Sequence, residues 1–399
     1  MSDLSIRPYF PFCRVRIARQ SVDDSTGWIE AEPDRRFHPV CQACGQPARR
    51  TQRWDVRTVR DLNFGQHRMF VNCRYRLIFC DRCDGYHVED LGLFDAGRRV
   101  TRRLARTIYN LCRTMTVTDV ARHYGLDWKT VKAIDKAYLQ DYFLRPSLDD
   151  LKLLAVDEIA VRRGHTYMTV VLNYVTGEVL WMGEGRSVDT LKDFFKLMSP
   201  RQKASIEAVA MDMWKPFIRA VGDALPGARI VHDLFHVVKM FNKVIDRVRL
   251  DEYRRAGAED KAVYKGSKYL LLSNFENLDT QDKRDRLKRL LSLNETLSQT
   301  MILKDLLKEL WTYRDRAPAE RALARWCELA RAVGHPAVRR FADTLEAHRE
   351  GILNHCDYPI HTSKLEGVNN KIKVIKRTAY GYRDQHYFSL KVIQAFSTN

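Results

Sequence analysis

Two aspartates sit where apolar runs stop and a charge is costly. Asp157 follows Leu153-Leu154-Ala155-Val156, and Asp212 follows Ala208-Val209-Ala210-Met211. A carboxylate this close to a buried strand is expensive unless it is paired or bound to a cation. Two of them on neighbouring strands repel until cations sit between them. A hard cation such as Mg²⁺ takes a few carboxylates plus water and phosphate oxygens. Two such ions about 4 Å apart activate the nucleophile and stabilise the leaving oxygen when a phosphodiester is transferred. Either aspartate alone also fits a cap at a strand end; the pair, in this order, points to metal-assisted phosphodiester chemistry. Glu158 is the weaker choice beside Asp157, because strand alternation turns it to the opposite face. Spacing does not fix a third carboxylate: Glu346, Glu350 and Glu366 all lie on plausible helices.

A second metal chemistry is written nearer the N-terminus. Cys41-Gln42-Ala43-Cys44-Gly45 and Cys80-Asp81-Arg82-Cys83 are two CxxC knuckles, whose four thiolates can close tetrahedrally on one Zn²⁺. Gly45 permits the tight turn that aims backbone N–H groups at the sulfurs. With every position filled by protein, such a site is structural. His38, His67 and His87 lie nearby and are read as its surroundings. Cys13, Cys73, Cys112, Cys327 and Cys356 are scattered and read as core or incidental thiols.

Residues 116–135 carry helix-turn-helix spacing. Ala121 lets two helices approach, Gly125 takes the left-handed turn, and Val120, Leu126, Val131 and Ile134 supply a core. Asp127 caps the second helix, which leaves Trp128, Lys129, Thr130 and Lys132 near its start to meet base edges or phosphates. Ten Lys or Arg against three Asp between Arg98 and Lys136 give the electrostatics of a DNA-contacting module. The net charge of +18 over 399 residues agrees, since such an excess usually meets a polyanion.

The elements that must position these groups divide the chain into a multidomain α+β protein. Residues 1–95 form a zinc-finger domain with short strands at Met69-Phe70-Val71 and Arg76-Leu77-Ile78-Phe79, and 96–147 a helix-turn-helix domain. A catalytic core occupies 151–254 and 351–399, interrupted by an all-α insertion over 255–350. In the core, Leu151 to Val156 reads as a buried strand. Tyr167 to Val175 and Glu178 to Met182 pair around Thr176-Gly177. Leu191 to Met198 is helical, and strands at Ile206 to Met211 and Arg229 to Val231 flank a helix near Pro216 to Leu225. Three antiparallel strands, then helix, strand, helix, strand, is the order of a ribonuclease H-like core. Ser363 to Thr378 reads as a helix that closes it, and Tyr387 to Phe396 as the final element. No stretch suits a signal peptide or a bilayer span, so the cytosol is expected.

With these motifs in place, the chain resembles the ISL3 family of bacterial insertion-sequence transposases over nearly its whole length. The likeness is carried by the cysteine region, the helix-turn-helix, Val156-Asp157-Glu158, Met211-Asp212-Met213 and Thr362-Ser363-Lys364-Leu365-Glu366-Gly367-Val368-Asn369-Asn370-Lys371-Ile372-Lys373. It continues through Lys376-Arg377 and Ala379-Tyr380-Gly381-Tyr382-Arg383. Many members carry Ser-Asn where this chain has Ser363-Lys364. The resemblance implies Glu366 as the third carboxylate of a DDE triad, holding two Mg²⁺ (or Mn²⁺) ions with Asp157 and Asp212. It implies that Asp233 and His236 order the active site. The partners implied are double-stranded DNA, as element terminal inverted repeats and as target, and a homodimer or larger synaptic assembly. The implied setting is the bacterial cytoplasm, on the nucleoid when DNA is bound. Lys371, Lys373, Lys376 and Arg377, beyond Glu366 on one helix, would put a positive edge beside the metals. The competing readings are a non-catalytic DNA-binding regulator and a ribonuclease H-like nuclease that cuts without joining.

Overall fold

The computed structural model describes residues 9–162, 166–273, 277–360 and 363–397. The chain divides into two units, Met1–Leu144 and Arg145–Asn399.

In the first unit, strands β1 (Val15–Val22), β2 (Thr26–Pro33), β3 (Arg50–Arg60) and β4 (Arg68–Cys80) pair in the order β1-β2-β4-β3, and β5 (Gly85–Val88) joins β4. The two short runs expected around residues 70 and 77 are one 13-residue strand. Met69, Val71, Cys73 and Tyr75 enter one core with Ile29, Leu93 and Phe94, and past Tyr75 the buried face shifts by one place, so that Ile78 and Cys80 join the cysteine cluster. Three helices follow, α1 (Arg102–Leu111), α2 (Val117–Tyr124) and α3 (Trp128–Phe143). Side chains of Thr101, Thr116 and Asp127 cap them by accepting from backbone N–H groups, which satisfies donors that each helix start leaves open. Gly125 ends α2 at φ 63°, and Val120, Ala121, Val131 and Ile134 fill the helical core, with Leu126 packed against it. Asp61, just past β3, is wholly buried and accepts from Thr101 Oγ1 and Arg103 Nε at 2.7 Å each, fixing α1 to the end of the sheet.

The second unit holds a sheet ordered β10-β9-β6-β7-β8. Its strands are β6 (Leu153–Arg162), β7 (Thr166–Asn173), β8 (Val179–Glu184), β9 (Ala208–Met211) and β10 (Arg229–His232). β6, β7 and β8 run antiparallel, while β9 pairs parallel to both β6 and β10. Helices α4 (Val188–Lys196), α5 (Pro200–Ala204) and α6 (Lys215–Ala224) fall between β8 and β10 in sequence, alternating with β9. One face of the sheet, through Leu154, Val156 and Val171, packs on Phe194 of α4 and Phe217 of α6. Burial on both faces is why these strands read as unbroken apolar runs. β6 outlasts the expected strand, because β7 pairs with it as far as Arg162; Asp157 therefore lies inside the strand.

After β10 the chain is helical: α7 (Leu234–Arg255), α8 (Ala258–Tyr264), α9 (Lys268–Leu272), α10 (Gln281–Ser292), α11 (Glu295–Glu309), α12 (Arg316–Ala332), α13 (Pro336–Ala347) and α14 (Arg349–Leu353). These share a separate core in which Phe241 of α7 meets Trp326 and Phe341. The Asn354 amide donates to the Ile230 carbonyl at 2.9 Å and ties the end of this region back to β10. Helices α15 (Ser363–Thr378) and α16 (Gln385–Phe396) then cover the second face of the sheet. There Leu365, Val368, Ile372 and Phe388 pack on Ala155, Ile159 and Val170. No helix among the described residues is long and apolar enough to cross a membrane.

Candidate active site and metal centre

β6 and β9 bring the two aspartates close enough for the charge of Asp157 to act on Asp212. Their parallel register pairs Ala155 with Ala210; Asp157 follows two places on inside β6, and Asp212 two places on, just past the end of β9. Strand parity turns Asp157 to the face that α15 covers, with Ala155 and Ile159. Asp157 is buried, and its Oδ2 accepts from the Asn369 amide of α15 at 2.6 Å. Asp233 caps α7, taking the Phe235 N–H on Oδ1 at 2.8 Å. Its Oδ2 holds Nδ1 of His236 at 2.8 Å, and Nε2 of that ring lies 3.9 Å from Asp157 Oδ1. Asp233 and His236 are therefore gathered with Asp157.

The charge balance of this cluster is unfavourable for the protein alone. Burial pushes the Asp212 carboxyl up to about 6, and the charges of Asp157 and Glu158 add to that; His236 and the Trp214 N–H oppose it. Burial disfavours a charged His236, yet its bond to Asp233 and the nearby carboxylates outweigh that and raise its pKa. A buried acid beside a half-buried one that its surroundings push toward neutrality is a donor set that suits a hard divalent cation. Glu366 stands exposed in the first turn of α15, three residues before Asn369 and hence on nearly the same helix face. Among the described residues, Asp157, Asp212 and Glu366 do not converge into one three-acid cluster.

The cysteines do converge. One sulfur from each of Cys41, Cys44, Cys80 and Cys83 lies within 4.8 Å of all the others, the spread that four thiolates around one zinc require. Cys80 ends β4, and Cys83 follows in the turn before β5. The N–H of Cys83 and the other sulfurs draw the Cys80 thiol down to about 7, while burial alone pushes against that. Cys41 is wholly buried, which raises its pKa, although the N–H groups of Cys44 and Ala43 point at it in the same fashion. Gly45 turns at φ 74° and donates its N–H to the Cys41 carbonyl at 2.9 Å.

The transposase model of the ISL3 family with the DDE domain matches residues 154–392. That span takes in all three acids. The chain belongs to the ISL3 family of transposases. A second model, the helix-turn-helix domain of transposase family ISL3, matches residues 89–139. The chain is 41% identical over 363 residues to the transposase for insertion sequence element IS1001 of Bordetella parapertussis, covering 90% of this chain and 89% of that one. It is 24% identical over 372 residues to the transposase for insertion sequence element IS1557 of Mycobacterium tuberculosis, covering 86% and 83%. It is thus a DNA transposase, with a DDE domain and a DNA-binding helix-turn-helix. The reading as a non-catalytic regulator falls away. A DDE domain also implies use of a divalent metal.

In this transposase the start of α3 presents Trp128, Lys129 and Thr130 to solvent, while Lys132 is half-buried. On α15, Lys373, Lys376 and Arg377 border a cleft of about 540 Å³ that runs beside Ile159 and Val161 of β6. Lys371 departs from this edge. Its ammonium turns to α16, over the Phe396 ring at 4.4 Å and onto the Ala395 carbonyl. The buried stripe Leu365, Val368 and Ile372 sets the helix rotation, and Lys371 falls on another side.

Sequence reasoning passed over two groups. Asn369 stood in the family block without a role, although its place three residues after Glu366 marks it as a neighbour on that face. Arg186, in the turn before α4, is stacked between the rings of Tyr167 (4.2 Å) and Trp214 (4.7 Å) and bonds Glu158 at 3.0 and 3.2 Å. Nothing in its local sequence signals this. Glu158 is thereby taken up on the opposite face from Asp157, as alternation requires.

Proposed function

We propose that this transposase binds the terminal inverted repeats of an insertion sequence, nicks the element end and joins the freed 3′-OH to target DNA. The catalytic fold is read as ribonuclease H-like, supported by the sheet order and by helices on both faces. The observation that supports the reading is the parallel β6–β9 pair, whose register sets Ala155 beside Ala210, two residues before Asp157 and Asp212. Asp157, Asp212 and Glu366 would hold two Mg²⁺ (or Mn²⁺) ions. When bound, these supply charge neutralisation and Lewis-acid activation at the scissile phosphate.

The chain's own groups do the rest. Asn369 holds Asp157 by one oxygen and leaves the other toward His236. Asp233 fixes the His236 ring, and that bond together with the nearby carboxylates favours the protonated imidazole beside the acids. The Asp212 carboxyl is pushed up by burial, and a cation or a protonated His236 beside it would stabilise its charged form. The four cysteines would hold one structural Zn²⁺ that keeps β4 and the Cys41 loop together. The exposed start of α3 supplies the DNA contacts of the first unit. Two element ends are processed together, so a homodimer or larger synaptic assembly is expected, acting in the cytoplasm on nucleoid DNA.

A strand-transfer assay with pre-cleaved ends separates this reading from a nuclease. Joined product in Mg²⁺ is expected. Efficient cutting of intact ends with no joining of pre-cleaved ends would replace the proposal with a nuclease.

A further inference from the structure

The helix carrying Glu366 ends in an unusual way. The Tyr380 N–H donates to the Arg377 carbonyl and the Gly381 N–H to the Lys376 carbonyl, both at 2.9 Å. This is a Schellman closure, in which the residue at the position of Tyr380 must be left-handed and is normally glycine. Tyr380 has φ 52°, while the glycine stands one place later. The other two non-glycine residues with positive φ among the described residues are Asp84 and Asp150, a type whose short polar side chain tolerates that region. A tyrosine there is strained, and burial returns nothing, because its side chain is fully exposed. Strain of this kind persists at sites of function more often than elsewhere.

The surroundings say what the ring meets. Tyr380 and Gly381 line the cleft along β6 together with the apolar Ile159, Val161, Ile372 and Phe388. Lys373, Lys376 and Arg377 line the same cleft, and Tyr380 also borders an adjoining hollow with Arg383. The cleft starts one helical turn beyond Asn369, the residue that touches Asp157. Eleven residues of helix separate Asn369 from Tyr380, roughly 16 Å, which is a few nucleotides of one strand. A bare aromatic face among cations fits a polyanion that carries flat rings, and a base has to be unpaired to offer its face.

We propose that Tyr380 is a base-stacking residue: the ring on which an unpaired base of a DNA strand rests, while Lys373, Lys376 and Arg377 hold that strand's phosphates along the cleft. This deepens the reading of Asp157 and Asp212 as the catalytic acids and rests on it for the strand's direction. The ring needs only its π face, so phenylalanine serves as well as tyrosine, whereas glycine removes the ring and relieves the backbone.

The test uses the full chain in buffer with no Mg²⁺ or Mn²⁺ and no chelator, with a single-stranded oligonucleotide carrying 2-aminopurine near its 3′ end. Wild type and Tyr380→Phe are expected to quench the fluorophore. Tyr380→Gly is expected to lose the quench and bind about tenfold more weakly, while melting no lower than wild type. Full quenching by Tyr380→Gly, or a lower melting temperature for it, overturns the proposal. Asp157→Asn keeps the quench in either case. If Asp157→Asn also cleaves DNA normally, the catalytic reading fails while the stacking result stands.

Discussion

The four sulfurs of the knuckles lie within 4.8 Å of one another, whereas the acids of the second unit are gathered as a pair with Glu366 apart. The contrast follows from what holds each group. The cysteines sit at a strand end and in tight turns, where backbone N–H groups face the sulfurs and no side-chain freedom is left over. A structural site of this sort is complete in the protein and serves the fold. Asp157 is fixed inside β6, and Asp212, just past β9, accepts from the Trp214 N–H at 3.1 Å. Glu366 rides on the exposed first turn of α15, and the contact that pins this helix to the acids is made by Asn369. On the proposed reading, a site that admits DNA and ions is not closed by protein alone, and Glu366 would complete it with substrate in place.

The largest effect should come from the complete site. Replacing Cys41 and Cys44 by serine is expected to remove one equivalent of zinc in metal analysis and to unfold the first unit. Zinc binding in such sites is worth on the order of 10 kcal/mol. Undiminished zinc in that variant would remove the site.

The acid pair should behave in the opposite sense toward stability. The Asp212 carboxyl is raised from 3.8 to about 6 in the folded protein. The fold therefore binds this proton more tightly than the unfolded chain does, and stability falls as pH rises from about 4 through 6. In metal-free protein, Asp212→Asn is expected to melt higher than wild type above pH 6 and equally below pH 4, while losing activity. A variant that melts lower at neutral pH would deny the buried repulsion.

A smaller effect is expected at the hinge of the comparison. Asn369→Ala should reduce activity or apparent metal affinity about 10- to 100-fold, with partial recovery at high metal, since it orients Asp157 without being a ligand. An unchanged metal titration would make that contact incidental. Smallest, Lys129→Ala should weaken binding evenly across DNA sequences and lower the salt slope by about one. A sequence-selective loss would assign Lys129 to base reading.

Much of this was legible because it rests on local rules. Acids at the ends of apolar runs singled out Asp157 and Asp212 as the proposed pair, knuckle spacing gave the four cysteines that converge, and helix-turn-helix spacing gave residues 116–135 as two helices around Gly125. What was hidden depends on how distant elements dock. The Asn369–Asp157 contact spans 212 residues, and the Arg186 sandwich joins β6, β7 and the start of α6. Lys371 reads like its neighbours in sequence, but the apolar stripe of α15 turns it to α16. The long β4 reads as two runs because Arg74 and Arg76 interrupt it and its buried face shifts by one place between Tyr75 and Ile78.

The account stands on Asp157 as a catalytic acid. The direct measurement is Mg²⁺-dependent cleavage of an element end by Asp157→Asn beside wild type, with DNA binding and melting temperature recorded for both. The expected result is a loss of at least about a thousandfold in rate, as removal of a metal ligand entails, with binding and folding retained. Cleavage by Asp157→Asn at the wild-type rate would contradict it.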